Sequence, residues 1–431
     1  MIRNIFLGMV VFFVSQPFLF SQDNDTISVK EASRIIRYLA SDSLKGRGDI
    51  TLELQTAGLF IGNEFKKNNL LPLPGLPNYY IPFHPAGGDG AVFIMDQLLW
   101  NGKKSDPNTF MYLHQLAGNY PDKTLTDFTV MKLDSFFTEN MLDKFSQDSS
   151  SLLLWTDKKR SGGKVFPKEI NMPLTGLHRD VLLVYADKAP SMLLLTGFPS
   201  QYLTTEYNIV GVLPGRSKPN EVIVFSAHYD HVGVGGGEGD MIFNGANDNA
   251  SGTTALLLLA QYFSKRNDNE RTIMFCAFSG EEQGLLGSTD FTSNINPEKI
   301  IAGINIEMIG VPQYGKNKVF IVGEKYSDLP RVLGAGLKRN GIIVTSEPVA
   351  SKNLFQRSDN YPFAFKGIPF HTIMASDDYE TCYHQPCDEV RRIDIANMTR
   401  IAKAIAASAG PLINGEVTPR RINPRDVELK K

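Results

Sequence analysis

The stretch VIVFSAHYDHVGVGGGEGDMIFNGANDNASG, residues 222–252, holds the pattern from which the fold is predicted. It begins with four apolar residues, three of them β-branched, which predict a short buried strand. His228 and Asp230 follow, and a loop rich in glycine and asparagine leads past Asp248 to a helical pattern over residues 253–263. In open α/β sheets, ligands bind at the edge where strands end. We therefore expect His228 and Asp248 to bind metal there.

Strand and helix patterns alternate from residue 206 onward. Strands are predicted at residues 208–213, 222–225, 272–278, 302–306, 319–322, 342–344 and 370–374, and helices at 253–265, 329–339 and 393–413. This alternation predicts an α/β fold, in which a mostly parallel, mixed and twisted sheet is sandwiched by helices.

The remaining segments differ in texture. Residues 1–21 carry Arg3, an apolar run and the small residue Ser21, a pattern typical of a signal peptide cleaved near Ser21 in a secreted or periplasmic protein. The run is broken by Pro17 and is too short to favour a membrane anchor. Residues 22–81 predict two amphipathic helices packing on a catalytic domain at 206–415. Residues 82–205 predict a β-rich insertion or lid, and the polar tail at 416–431 is expected to fray.

Bulk composition excludes some classes of protein. Of 431 residues, 42% are hydrophobic and 21% charged, which is typical of a globular protein. The net charge of −2 gives no support for nucleic-acid or anionic-membrane partners. Oligomeric state is not predicted. Cys276 reads as a buried free thiol, whereas Cys382 and Cys387 flank His384 and favour a disulfide over zinc ligation.

Further acidic residues and a histidine follow other predicted strands. Glu281 and Glu282 come after strand 272–278, Glu307 after strand 302–306, and His384 after strand 370–374. Taken singly, each fits a structural role, such as glutamates favouring a helix start. Together, two histidines and several carboxylates at one sheet edge suit two divalent metal ions, zinc above all. Of the adjacent glutamates, one can bind metal while the other accepts a proton from a metal-bound water.

Six pieces of sequence, in order, resemble a known family. They are AHYDHVG, NGANDNASG, FSGEEQGLLGS, NIEMIG, RSDNYPF and YHQPCD. The chain resembles the co-catalytic dinuclear zinc aminopeptidases, which include bacterial leucyl aminopeptidase, aminopeptidase Y and glutamate carboxypeptidase II. The resemblance covers residues 208–413, and LASDSLKGRG near the N-terminus is similar to the family's opening. It implies a zinc-exopeptidase fold and peptide substrates.

The resemblance also implies a role for each matching residue. His228 and Glu307 would hold one Zn²⁺, Glu282 and His384 the other, and Asp248 would bridge them, with Glu281 as general base and Asp230 as the partner of His228. Many relatives have aspartate at the position of Glu307. The insertion stands where several relatives carry a protease-associated domain.

The sequence therefore predicts a secreted or periplasmic zinc aminopeptidase, a hydrolase acting on peptide bonds. Two alternatives stay open: a glutaminyl cyclase with a single zinc, and a non-catalytic binding ectodomain of the same fold. The side-chain preference is not predicted. The substrate pocket is expected between the insertion and loops near residues 353–361 and 377–383, with Tyr379 and Tyr383 as candidate donors to the oxyanion.

Overall fold

A computed structural model describes residues 26–85, 92–105, 109–113, 123–134, 151–158, 181–200, 205–236, 239–348 and 353–428. The predicted signal peptide lies outside these residues. No helix in the described ranges combines the length and apolar character needed to cross a membrane.

Two helices open the described chain. Helix α1 covers Val29–Leu39 and α2 covers Leu52–Lys67, with a 3₁₀ turn at Asp42–Arg47 between them and strand β1, Tyr80–Phe83, after them. The Ser28 hydroxyl caps α1 by accepting the N–H of Glu31 at 3.2 Å. Apolar side chains of both helices lie in one buried cluster with residues of the main sheet, so this segment shares the core of the following domain.

The described residues between β1 and the main sheet form two four-stranded sheets with strand orders β3-β2-β9-β5 and β4-β8-β7-β6. The strands are β2 Val92–Trp100, β3 Lys103–Lys104, β4 Phe110–Leu113, β5 Lys123–Thr124, β6 Thr129–Lys132, β7 Leu152–Thr156, β8 Val181–Tyr185 and β9 Leu193–Ser200. A separate apolar cluster, including Trp100, Leu153 and Leu182, lies between the two sheets' strands. The domain boundaries and the protease-associated assignment stay predictions.

The main sheet has eight strands among the described residues, in the order β1-β10-β14-β11-β15-β18-β16-β17. Its strands after β1 are β10 Glu206–Leu213, β11 Lys218–His228, β14 Arg271–Phe278, β15 Ile300–Ile306, β16 Lys318–Ile321, β17 Ile343–Thr345 and β18 Phe370–Met374; β12 Gly233–Val234 and β13 Ile242–Phe243 form a separate hairpin. The neighbours β14, β11, β15 and β18 are parallel. The pairs β1–β10, β10–β14 and β16–β18 are antiparallel, which confirms the predicted mixed sheet.

Helices cover both faces of this sheet. They are α3 Gly252–Arg266, α4 Leu286–Ser293, α5 Leu329–Arg339, α6 Asn360–Phe365, α7 Ile395–Ser408, α8 Gly410–Ile413 and α9 Pro424–Val427. Successive residues of β11 point to opposite faces. Ile223 and Phe225 accordingly pack with α1, α3 and α7, whereas Val222 and Val224 pack with residues of α4 and α6. The predicted helix–sheet–helix sandwich is thereby confirmed.

The last predicted helix is wrong in one respect. Residues 393–413 form two helices, α7 and α8, rather than one. Pro411 stands in the first turn of α8. Proline has no N–H to donate to the preceding turn and is tolerated at the start of a helix, so the chain restarts there.

Residues 416–428 of the tail are packed on the protein rather than frayed as expected. Ile422 is 3% exposed and Val427 is fully buried in an apolar cluster. The Arg421 guanidinium donates to the carbonyl oxygens of Ile300 and Pro297, both at 2.7 Å. Two apolar residues and one arginine therefore anchor a segment whose overall composition is polar.

Candidate metal centre

The predicted site residues converge at the carboxyl edge of the parallel strands. His228 is the last residue of β11, and Glu307 directly follows β15. The structure forms two groups whose potential ligand atoms lie within 4.8 Å of one another: His231, Asp248, Glu282 and His384 in one, and His228, Glu281 and Glu307 in the other. Parallel strands bring their carboxyl ends to one edge, which explains why residues distant in sequence meet here.

Asp248 lies between the two groups. Its Oδ1 is 3.3 Å from His228 Nε2, and its Oδ2 is 3.2 Å from His384 Nε2. Glu282 Oε2 is 2.9 Å from the same nitrogen of His384. Each oxygen of Asp248 therefore faces a different imidazole, as a carboxylate shared between two cations requires.

The unsatisfied nitrogens at the site fit metal ligation. His228 Nε2 and His384 Nε2 are buried and have no hydrogen-bond partner of good geometry among the described residues. Buried polar atoms are normally satisfied, so such nitrogens beside carboxylates call for an explanation. Two ligand atoms bound to one zinc at about 2.0–2.2 Å lie roughly 3.3 Å apart in tetrahedral coordination. The separations of 2.9–3.3 Å come close to this spacing.

The electrostatics of the site require positive charge. Burial raises the pKa of Glu307 to about 7, and burial together with the neighbouring carboxylates of Glu307 and Glu282 raises that of Glu281. Burial opposes ionisation of Asp248, but the imidazoles of His228 and His384 outweigh it and lower its pKa. Although burial opposes its charge, His384 has its pKa raised to about 10 by Asp248 and Glu282. A divalent cation would supply the same positive charge and displace these protons.

Comparison with known proteins finds a family model that matches the second half of the chain. The sequence model of peptidase family M28 matches residues 208–409. Over this stretch the chain is similar to peptidase family M28. The resemblance seen in the sequence is thus confirmed, and the matched residues, here called the M28 domain, include all the predicted site residues.

Individual relatives of the M28 domain agree with this assignment. Aminopeptidase YwaD of Bacillus subtilis is 26% identical over 270 residues, which cover 59% of this chain and 54% of that protein. An aminopeptidase of Pseudomonas aeruginosa is 29% identical over 223 residues, 44% of this chain and 38% of that protein. The chain thus matches about half or less of these relatives' length. The solved structure of BSAP, a zinc aminopeptidase from Bacillus subtilis, superposes with a TM-score of 0.56 at 16% identity, covering 90% of this chain and 96% of that one, which shows a shared fold.

Asp230 links two parts of the M28 site. Its Oδ1 lies 3.5 Å from His228 Nδ1, a contact too long for a firm hydrogen bond. Its Oδ2 accepts the backbone N–H of Glu282 at 3.2 Å. Asp230 therefore lies close to His228, as predicted, but without a short hydrogen bond to it. Its hydrogen bond to the N–H of Glu282 also fixes the backbone of the loop that carries Glu281 and Glu282.

The Asp248 loop is fixed by a residue that the sequence analysis did not single out. The carboxylate of Asp388 accepts the backbone N–H groups of Asn247 at 2.9 Å and of Asp248 at 3.0 Å. Asp388 stands four residues after His384, at the end of YHQPCD, so one short segment positions two of the predicted ligands. The sequence could have pointed to Asp388, because it is the acidic residue at the end of the YHQPCD motif.

The loop that carries His384 is closed by a disulfide between Cys382 and Cys387, as the sequence favoured. Cys276 is buried and free, also as predicted. The His384 ring stacks on Tyr383 with 3.9 Å between ring centroids, while its side chain stays 34% exposed. The disulfide and the Tyr383 ring therefore both restrain His384, although it is the most exposed imidazole of the site.

Two other residues of the site were missed. His231 lies three residues past His228, and its Nδ1 is 2.7 Å from Glu282 Oε1. Arg47, from LKGRG, is fully buried, and its guanidinium donates to the carbonyl oxygens of Leu39 and of Tyr229, Asn244 and Gly245 in the two loops after β11. The sequence did offer a signal for each residue: Arg47 stands between two glycines, and His231 is the second histidine of AHYDHVG.

A cavity of about 760 Å³ opens beside the site. Its lining joins Glu281, Glu282 and His384 to the apolar side chains of Leu285 and Phe365. Further lining residues are Gln356, Arg357, Tyr361, Pro362, Lys366 and Tyr383. The loop at 353–361 contributes as predicted. The described residues of the insertion do not line this cavity, so that part of the expected substrate pocket is not found in the described structure.

Proposed function

We propose that this protein is an exported, zinc-dependent exopeptidase that removes N-terminal residues from peptides. The observation that carries the proposal is the position of Asp248, between His228 and the pair Glu282 and His384, two residues that line a cavity large enough for an amino-acid side chain. The match to peptidase family M28 supports the same reaction, as do relatives named as aminopeptidases and zinc metalloproteases.

The proposed ligands are taken from these two groups, without Glu281 and His231. His228 and Glu307 would hold one Zn²⁺, Glu282 and His384 would hold the other, and Asp248 would be shared between them. A pair of divalent ions supplies Lewis acidity for the scissile carbonyl and lowers the pKa of water to about 7. Glu307 has a longer side chain than the aspartate that many relatives have at this position. The Ser358 hydroxyl holds it in place by donating a hydrogen bond to its Oε2.

Glu281 is the general base of the proposed reaction. Its carboxylate lines the cavity and receives no hydrogen bond from the described residues, whereas that of Glu282 is paired with two imidazoles. Burial and neighbouring carboxylates raise the pKa of Glu281, which suits a group that accepts a proton from the attacking water and returns it to the leaving amine.

Tyr383 is the proposed donor to the oxyanion. It lines the large cavity and also a smaller one shared with Asp248 and Glu307. Burial and the nearby carboxylates raise the pKa of its phenol, which therefore keeps its proton and can donate a hydrogen bond. Tyr379, the other candidate, is 60% exposed.

A peptide panel tests the function. Purified full-length protein loaded with zinc is offered one peptide with a free amino end, its N-acetylated form and its C-amidated form. Release of the N-terminal residue from the free and amidated peptides, but not from the acetylated one, is expected. Cleavage that needs a free carboxyl end would indicate a carboxypeptidase. Cyclisation of N-terminal glutamine without hydrolysis would indicate a glutaminyl cyclase, and zinc binding without turnover a binding ectodomain.

Export is tested separately. The full chain, expressed in a bacterial host with a periplasm, is expected there with a mature N-terminus near Gln22, measured by intact mass. An unprocessed Met1 start in the cytoplasm would contradict it.

A further inference from the structure

His231 lies in the site but is not among the proposed metal ligands. It is 1% exposed, and its ring lies 5.4 Å from that of His384 in a T-shaped arrangement. Its backbone N–H donates to the carbonyl oxygen of Arg47 at 3.1 Å. The side chain is therefore held in place against the group formed by Asp248, Glu282 and His384.

The distances around His231 indicate a hydrogen bond rather than metal ligation. Its Nδ1 lies 2.7 Å from Glu282 Oε1 but 3.9 Å from Asp248 Oδ2. Two ligands of one tetrahedral zinc lie about 3.3 Å apart. The separation from Glu282 is the shortest between an imidazole and a carboxylate at the site and suits an N–H donated to a carboxylate, whereas Asp248 lies beyond ligand spacing.

The two oxygens of Glu282 have different partners. Oε1 accepts a hydrogen bond from His231 Nδ1, and Oε2 lies 2.9 Å from His384 Nε2. His231 Nε2 is buried and has no hydrogen-bond partner among the described residues. The bond to Glu282 is therefore the ring's single hydrogen bond in the described structure, and it fixes which carboxylate oxygen remains free for a cation.

We propose that His231 is a positioning residue that donates its Nδ1–H to Glu282 Oε1 and so directs Glu282 Oε2 at the metal ion shared with His384. The inference rests on the proposed zinc site and extends it to the third imidazole at that site, His231. Outer partners of metal ligands typically contribute 10–100-fold to metal affinity. Loss of the donor should weaken the ion on the His384 side by that factor and leave the ion on the His228–Glu307 side unchanged.

Two substitutions separate the hydrogen bond from the volume of the ring. His231→Leu fills space without a donor, and His231→Asn keeps an N–H near the position of Nδ1. Zinc affinity is measured on the full-length protein by competition with a chromophoric chelator. We expect one of two dissociation constants to rise 10–100-fold in H231L and to return most of the way to the wild-type value in H231N. His371→Leu, which removes a buried imidazole away from the site, is the matched control and should change neither constant.

The contrary outcomes are distinct. Wild-type affinities in H231L would show that His231 does not position Glu282. Equal loss of both ions in H231L and H231N would indicate a general structural role. Visible spectra of the Co²⁺-substituted variants detect a change of ligands, and loss of a nitrogen ligand in H231N would make His231 a ligand and overturn the proposal. A wild-type protein that binds no zinc would instead contradict the proposed function itself.

Discussion

Glu281 and Glu282 are neighbours in the chain but differ in their surroundings. Glu282 is paired with His231 and His384, which outweigh burial and the charge of Asp248 and lower its pKa to about 2. Glu281 lies where burial raises its pKa. Since adjacent side chains diverge, the same dipeptide can supply the metal ligand and the base of the proposed reaction.

The substitution Glu281→Gln tests this division. It should reduce kcat by about 10²–10⁴-fold, because the amide cannot accept a proton. Zinc content should stay at the wild-type value, measured by mass spectrometry of the metal. Glu282→Gln is the matched control and should lose zinc. Retained turnover in E281Q would refute the assignment of the base.

His371 gives a prediction about pH away from the metal site. Burial lowers its pKa to about 4; its Nδ1 donates to the Val322 carbonyl and the Ser327 hydroxyl faces its Nε2. As pH falls below about 6.5, His371 becomes protonated in the unfolded chain, whereas in the folded chain it stays neutral until about pH 4. The free energy of unfolding therefore falls by about 3 kcal/mol over this range.

Urea unfolding of the metal-free protein between pH 7 and pH 4 measures this effect. His371→Gln should be less stable than the wild type at pH 7, and the gap should narrow as pH falls because glutamine does not titrate. A gap that is constant with pH would contradict the burial of a neutral imidazole.

At the residue scale, the sequence located the groups that bear the chemistry but not their support. His228, Asp248 and Glu307 follow recognisable strand or loop patterns. Asp388 and Arg47 act through backbone N–H and C=O groups of distant loops, contacts that depend on tertiary packing and leave no periodic pattern in the sequence.

At the element scale, the segment from Cys382 to Asp388 unites three constraints. The disulfide closes it, the Arg392 guanidinium pairs with Glu380 just before it, and the Asp388 carboxylate ties it to the Asp248 loop. His384 is thereby presented from a short, braced loop rather than from a helix or strand.

Opening the disulfide should loosen this loop. The double substitution Cys382→Ser with Cys387→Ser is expected to weaken the zinc ion on the His384 side about tenfold, the scale of effects outside the ligand shell. Chelator competition measures the change, and reduced wild-type protein should match the double variant. Cys276→Ala, which removes the free thiol, is the control. Unchanged zinc affinity would show that packing alone holds His384.

Two of the predicted elements match the structure residue for residue. The helix at Leu329–Arg339 and the strand at Phe370–Met374 have the predicted bounds. The break at Pro411 was overlooked because apolar periodicity continues across it. β11 extends to His228 itself, further than its apolar run, because parallel pairing with β14 carries the polar residue into the sheet.

At the scale of the whole molecule, the N-terminal helices belong to the peptidase core. Arg47 joins the segment between α1 and α2 to the loops that carry His231 and Asp248. Composition alone did not show this, because a buried arginine and an exposed one look alike in sequence.

Replacing Arg47 by Met should strip several buried carbonyl groups of their donors and reduce the free energy of unfolding by about 3 kcal/mol or more. The measurement is chemical unfolding with and without zinc, and zinc affinity should fall as well because both loops lose their anchor. Arg331→Met, at a side chain 79% exposed, is the control and should have little effect. Wild-type stability in R47M would contradict the role of this segment.

The number of zinc ions per chain tests the central claim most directly. Mass spectrometry of metal in purified full-length protein should find two ions per chain in the wild type and neither retained in Asp248→Asn, since the proposed site shares that carboxylate between both ions. A wild type without bound zinc, or an Asp248→Asn protein that still holds two ions, would contradict the account.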